Sequence, residues 1–213
     1  MIEGKILQFI TDGTNCLEII GQIEQVIEGG CRWIQVRMKD FDDKSIEKVL
    51  ESVKPLCDKV KAKCIMNDRV DMAAKFHLDG VHLGREDMCV EEARQILGED
   101  AIIGVTANTI EEIIELAQKP MSYFGIGPLR YTTTKKNLSP MIGLPGYHDI
   151  VTSMVETGIT KPAVAVGGIL LSDVNDLLEA GLWGVAVSGA IAKSSNPTDE
   201  TRKFMDIVNS FGK

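Results

Sequence analysis

The sequence predicts a single-domain α/β protein of the (β/α)8 or TIM-barrel type spanning residues 1–213. Three observations lead there. Eight apolar stretches of strand length alternate with segments of helical periodicity. The strands read as nearly unbroken apolar runs, as parallel strands covered on both sides do. No linker, charge block or low-complexity segment divides the chain, whose 213 residues suit one barrel at the short end of the range. Alternation alone does not prove closure, so a doubly wound open sheet is the runner-up.

Residues 5–11 form an apolar run suited to a buried strand, and 15–28 carry Leu17, Ile20, Ile23, Val26 and Ile27 at helical spacing, closed by Gly29 and Gly30. Residues 31–38 make a second strand and 45–60 a second helix. Pro55 is expected to kink or divide that helix, because it lacks an N–H and crowds the preceding turn. A third strand ends at Met66, a helix covers 69–76, and a fourth strand centres on Val81. Then come a helix over 89–97, a strand over 101–106 and a helix over 109–118, whose Glu111 and Glu112 suit the helix dipole. A sixth strand over 122–126 leads into residues 127–144, which show no clear periodicity, before a helix resumes near 146–157. Strand 163–166, helix 172–180, strand 184–187 and helical segments around Ile191 and over 198–210 complete the alternation.

Apolar residues at 44% and charged residues at 25% are those of a soluble globular protein and exclude disordered and collagen-like classes. A net charge of −8 offers no basic field to nucleic acid and no cationic stripe to a membrane, so an anionic substrate must be held by local cations. Met1-Ile2-Glu3-Gly4-Lys5 lacks the regions of a signal peptide, and no apolar run approaches the ~18 residues of a membrane span, so a cytoplasmic protein is expected. The five cysteines, Cys16, Cys31, Cys57, Cys64 and Cys89, are odd in number and contain no C-x-x-C pair. They read as reduced packing residues rather than a disulfide framework or zinc site. His77, His82 and His148 are scattered, which argues against a histidine-rich metal site. Whether the protein forms a homo-oligomer stays open.

Polar clusters follow the third and fourth strands: Asn67 and Asp68, then Glu86 and Asp87. Consecutive parallel strands lie side by side with their carboxyl ends pointing the same way, so Asp68 and Asp87 are expected to meet at one rim and invite a divalent cation. The plainer role for Asn67 or Asp68 is to cap the helix that follows. On the second strand Gln35, Arg37 and Lys39 alternate with Ile34, Val36 and Met38. Period two sends the polar trio inward or over the carboxyl rim, where buried cations meet either a ligand or an internal salt-bridge network.

Residues 127–140 are long for a connection, typically about four to six residues. The hydroxyls of Thr132, Thr133 and Thr134 and the charges of Lys135 and Lys136 suit phosphate oxygens, so the segment reads as a lid. Val166-Gly167-Gly168-Ile169 and Val187-Ser188-Gly189-Ala190 follow the last two strands, where backbone N–H groups beside a helix start bind phosphate. This is more than one anionic substrate needs. It fits two.

In these residues the chain resembles the thiamine phosphate synthase, or thiamine-phosphate pyrophosphorylase, family. The matching stretches are Gln35-Val36-Arg37-Met38-Lys39, Met66-Asn67-Asp68-Arg69, Gly80-Val81-His82-Leu83-Gly84-Arg85-Glu86-Asp87, Gly104-Val105-Thr106, Gly125-Ile126-Gly127-Pro128, Thr132-Thr133-Thr134-Lys135-Lys136, Val166-Gly167-Gly168-Ile169 and Val187-Ser188, in order and over nearly the whole chain. The resemblance implies a transferase that joins 4-amino-5-hydroxymethyl-2-methylpyrimidine diphosphate to 4-methyl-5-(2-phosphoethyl)-thiazole with Mg2+, releasing pyrophosphate and forming thiamine monophosphate. It implies Mg2+ at Asp68 and Asp87, and the pyrimidine diphosphate at Gln35, Arg37, Lys39, Asn67, Thr106 and Lys135. Arg37, Lys39 and Lys135 would be the catalytic cations. Thr132, Thr134, Gly168, Val187 and Ser188 would bind the thiazole phosphate.

The resemblance also implies a dissociative path through a pyrimidine carbocation, which needs no protein nucleophile and suits a sequence without a convincing Ser/His or Cys/His arrangement. Three positions depart from the family pattern: Thr106 replaces a common serine, Asn108 a frequent histidine, and Arg130-Tyr131 a more apolar pair. The nearest rival is a TenI-like thiazole tautomerase, which would lack the cationic and acidic residues retained here. Another is a non-catalytic protein that binds thiazole or thiamine phosphate. A third, a barrel lyase with Lys39 as Schiff-base lysine, leaves Asp68 and Asp87 unexplained.

Overall fold

The computed structural model describes residues 4–131 and 141–211. Among them, strands β1 (Ile6–Ile10), β2 (Trp33–Val36), β3 (Lys63–Asn67), β4 (Gly80–Leu83), β5 (Ile102–Ala107), β6 (Tyr123–Ile126), β7 (Ala163–Val166) and β8 (Gly184–Val187) each pair in parallel with their neighbours in sequence. β1 also pairs with β8, with Ile6 opposite Gly184 and Phe9 opposite Val187, so the sheet closes into a barrel. The open-sheet alternative is thereby ruled out.

The outer layer comprises α1 (Cys16–Glu28), α2 (Asp43–Lys59), α3 (Val70–Lys75), α4 (Val90–Leu97), α5 (Ile110–Ala117), α6 (Gly143–Glu156), α7 (Val174–Glu179) preceded by a 3-10 turn Leu171–Asp173, α8 (Gly189–Ala192) and α9 (Pro197–Ser210). Side-chain caps start several of them: Asn15 accepts the Glu18 N–H at 3.0 Å, and Asp42 accepts the Ser45 N–H at 2.8 Å. The longer helices lay an apolar stripe inward, such as Ile19, Ile23 and Val26 of α1.

Two helices differ from expectation. α2 runs undivided through Pro55, which lies on its exposed face, where water can satisfy the carbonyl one turn back. Ile46, Val49, Leu50, Val53 and Cys57 hold the opposite face against the barrel. α6 begins at Gly143, three residues before the expected Gly146. Pro145 falls in its first turn, where no intrahelical N–H is needed, and Tyr147, Ile150 and Met154 supply the buried stripe.

Strand alternation sorts side chains into two cores. Leu7, Phe9, Ile34, Val36, Met66, Val105, Phe124 and Val187 pack outward among the helices, whereas Ile6, Trp33, Ile65, Tyr123, Val164 and Ala186 fill the barrel. Trp33 stacks edge-on against both Tyr123 and Trp183, with ring centres 5.2 and 5.4 Å away.

All five cysteines are free thiols, but only Cys31, Cys57 and Cys64 are buried. Cys89 is exposed and so is not the packing residue expected of it. No helix of the described residues is long and apolar enough to cross a membrane.

Candidate active site

The alternation that buries Ile34 and Val36 outward directs Trp33 and Gln35 into the barrel. On the same grounds Asn67, two positions beyond inward-facing Ile65, belongs to the inner set at the carboxyl end of β3, and Ser188 to that of β8 beyond Ala186. Gln35, Asn67 and Ser188 thus share the inner face toward the carboxyl ends of their strands, whereas Thr132, Thr134 and Lys135 lie outside the described residues.

Asp68 and Asp87 lie close enough there for the Asp87 carboxylate to act on the Asp68 carboxyl. Asp68 follows β3 with φ +64°, a left-handed conformation that Asp tolerates better than most residues, and its N–H donates to the His82 carbonyl at 2.9 Å. Asp87 is held in a tight turn after β4, where its Oδ2 accepts the Gly84 N–H at 2.6 Å. Neither Asn67 nor Asp68 caps α3, whose amino end has no side-chain cap. Burial first, and then Asp87, raises the Asp68 carboxyl to about 6, while Lys39 pulls it the other way from 3.5 Å.

Among the described residues no cluster of three or more His, Cys, Asp or Glu side chains could hold a metal ion. Two half-buried carboxylates alone suit Mg2+, which commonly takes one or two from the protein and completes its shell with water and phosphate oxygens. Such a pair is a poor fit to zinc, which wants nitrogen or sulfur donors.

A polar chain that the sequence reading missed runs through the barrel. Gln8 Nε2 donates to the Tyr123 hydroxyl at 2.9 Å, that hydroxyl lies 2.9 Å from His82 Nδ1, and His82 Nε2 lies 3.0 Å from Thr106 Oγ1. Burial keeps Tyr123 protonated well above the usual phenol range. The signal was in the sequence: Gln8 and His82 interrupt apolar strands as Gln35 interrupts the second. Gly104 makes room for the chain, since a Cβ there would lie 2.2 Å from Tyr123 Cζ.

Gln35 lies beside the same hydroxyl and is only 2% exposed, yet its Nε2 has no hydrogen-bond partner among the described residues. A buried amide donor left unmade is costly and points to a missing acceptor. Arg37 is half-buried, and its backbone is tied to Thr11 through N–H to Oγ1 at 2.8 Å and Oγ1 to carbonyl at 3.1 Å.

The two glycine-bearing turns follow the seventh and eighth strands, which are adjacent, with Val166 opposite Ala186. Ser188 Oγ is buried with no hydrogen-bond partner among the described residues. The departures from the family pattern are also placed. Asn108 Nδ2 donates to the Gly127 carbonyl, joining the ends of β5 and β6. Arg130 forms a forked ion pair with buried Asp173, with Nη2 2.9 Å from Oδ1 and Nη1 bonded to Oδ2.

Fold and rim together define a parallel α/β barrel with the polar constellation of an enzyme at the carboxyl ends of its strands. The family can be named as well. The sequence profile described as thiamine monophosphate synthase matches residues 7–191, and the chain belongs to that family. A thiamine-phosphate synthase of Bacteroides fragilis is 47% identical over 201 residues, covering 94% of this chain and 98% of its own. One from Flavobacterium johnsoniae is 44% identical over 203 residues, covering 95% and 94%. Among solved structures, the thiamine phosphate pyrophosphorylase of Pyrococcus furiosus superposes with a TM-score of 0.85 at 29% identity, covering 98% of this chain and 97% of its own.

Proposed function

We propose that this chain is a thiamine-phosphate synthase, joining 4-amino-5-hydroxymethyl-2-methylpyrimidine diphosphate to 4-methyl-5-(2-phosphoethyl)-thiazole and releasing pyrophosphate. The observation that carries this reading is the grouping of Asp68, Asp87 and Lys39 at the rim, with Lys39 Nζ 3.5 Å from Asp68. A tautomerase handles no pyrophosphate and has no use for that set.

Asp68 and Asp87 would hold Mg2+, which when bound neutralises charge on the diphosphate oxygens. Lys39, Arg37 and Lys135 supply the remaining positive charge as the methylene carbon–oxygen bond breaks and its electron pair leaves with pyrophosphate. Gln35 and Asn67 face the pyrimidine, and the unpaired Gln35 Nε2 supplies a donor for a ring nitrogen. His82 links the Tyr123 hydroxyl to Thr106 Oγ1, so the chain holds the Thr106 hydroxyl in place at the inner end of the site. The pyrimidine amino group donates electrons to the cationic methylene, and the thiazole nitrogen forms the new carbon–nitrogen bond with its lone pair. Backbone N–H groups around Gly168, Val187 and Ser188, with Thr132 and Thr134, hold the thiazole phosphate. No side chain acts as nucleophile or general base.

The test supplies both substrates with Mg2+ and measures pyrophosphate and thiamine monophosphate. Equimolar release of the two is expected. Binding or tautomerisation without pyrophosphate would reject the reading.

A further inference from the structure

We propose that Arg130 is a positioning residue for the thiazole phosphate, acting by bracing the Gly167–Gly168 turn rather than by touching the phosphate. The inference rests on the function just proposed and adds to it a residue that breaks the family pattern.

The guanidinium has its partners within the protein. Nη1 donates to the Gly168 carbonyl at 2.8 Å and to Asp173 Oδ2, and Nη2 donates to Asp173 Oδ1 at 2.9 Å. Asp173 is 6% exposed, and its Oδ2 also accepts the Leu170 N–H at 2.7 Å, so this partner is itself fixed. Arg130 pulls the Asp173 carboxyl below its ordinary range, as a bidentate pair should. Three of the five guanidinium N–H groups are committed to Gly168 and Asp173, which fixes the side chain across the turn as a brace.

The turn it braces is one that needs bracing. Gly167 and Gly168 both adopt positive φ, +92° and +71°, which allows a compact concave backbone and also makes it easy to deform. Gly168 lies under the Arg130 stem: a Cβ there would fall 2.5 Å from Arg130 Cγ. The main chain repeats the clasp, with the N–H groups of Leu129 and Arg130 donating to the Gly167 carbonyl at 3.0 and 3.2 Å. In a trans peptide the carbonyl and the following N–H point in opposite directions. Holding the Gly168 carbonyl on Arg130 therefore aims the Ile169 N–H away from the guanidinium. The neighbouring β8 turn carries the buried, unpaired Ser188 Oγ. One forked side chain thus sets the direction of donors on the proposed phosphate cradle.

The test compares wild type with Arg130→Gln, Asp173→Asn and Arg130→Lys in steady-state turnover, varying each substrate in turn. In the first two variants the KM for the thiazole phosphate is expected to rise at least about tenfold, the effect of misdirecting one hydrogen bond to a charged group. The KM for the pyrimidine diphosphate is expected to stay within about twofold, and kcat within about threefold. Arg130→Lys, which keeps the charge but not the fork, should fall between. Thermal protection by thiazole phosphate alone, read without turnover, should weaken in the same order.

An unchanged thiazole KM in Arg130→Gln, or an equal rise for both substrates, would overturn the proposal while leaving the reaction in place. Wild-type protein that makes no pyrophosphate would instead overturn the reaction, and thermal protection would still decide the role of Arg130. If Arg130→Gln does not fold, Arg130→Lys decides alone: a thiazole KM equal to wild type overturns the proposal, and a selective rise supports it.

Discussion

Replacing Asp68 by Asn is expected to stabilise the metal-free protein while abolishing Mg2+-dependent turnover. Asp68 is raised from its ordinary 3.8 to about 6, first by burial and then by Asp87. At about 1.4 kcal/mol per pH unit, keeping it ionised at pH 8 costs the fold on the order of 3 kcal/mol relative to the unfolded chain. Asn removes that charge at nearly constant shape and tolerates the left-handed φ of +64° that Ala would not. A carboxyl whose value is raised on folding binds its proton more tightly in the native state. The cost is therefore absent below about pH 4, grows up to about pH 6 and is full above that. Urea unfolding in the presence of a chelator should show Asp68→Asn more stable by about 1–3 kcal/mol at pH 8, with roughly half that gain at pH 5. Added Mg2+ should raise the stability of wild type and leave the variant unmoved. A variant no more stable than wild type at pH 8, or an equal gain at both pH values, would refute the charge crowding on which the metal assignment depends.

Gln35→Met keeps the volume of a buried side chain but removes its unpaired Nε2. Stability should change by less than about 1 kcal/mol, while the KM for the pyrimidine diphosphate rises about tenfold or more; an unaltered KM would remove Gln35 from the site. Gly104→Ala places a Cβ 2.2 Å from Tyr123 Cζ, so the ring must move and its bonds to Gln8 and His82 must break. A loss of about 1–3 kcal/mol in urea unfolding is expected, together with reduced turnover. Tyr147→Phe deletes the hydroxyl that donates to the Ile126 carbonyl at 2.7 Å and joins α6 to the end of β6. The carbonyl keeps its place in the β6–β7 ladder, so losing this one hydrogen bond should cost about 0.5–1.5 kcal/mol, and unchanged stability would show that the hydroxyl bond carries no net energy.

Periodicity by itself determined the alternation of eight strands with helices, because burial on both faces forces strands to be apolar and helices to carry a single stripe. It also determined that Gln35 points into the barrel, since period two allows no other face once Ile34 and Val36 pack on helices. The rim acids were legible for the same reason: neighbouring parallel strands end on the same side. What only the tertiary structure decided were contacts between residues far apart in sequence. Closure required β8 to find β1, and nothing local to either strand specifies that. The Gln8–Tyr123–His82–Thr106 chain draws one residue from each of four strands, so no spacing along the sequence reveals it. Arg130 reads as a departure from a pattern until the fold sets it 43 positions from its acid yet within hydrogen-bond reach. Side-chain direction follows from local geometry, but partnership follows from packing, and packing is a property of the whole chain.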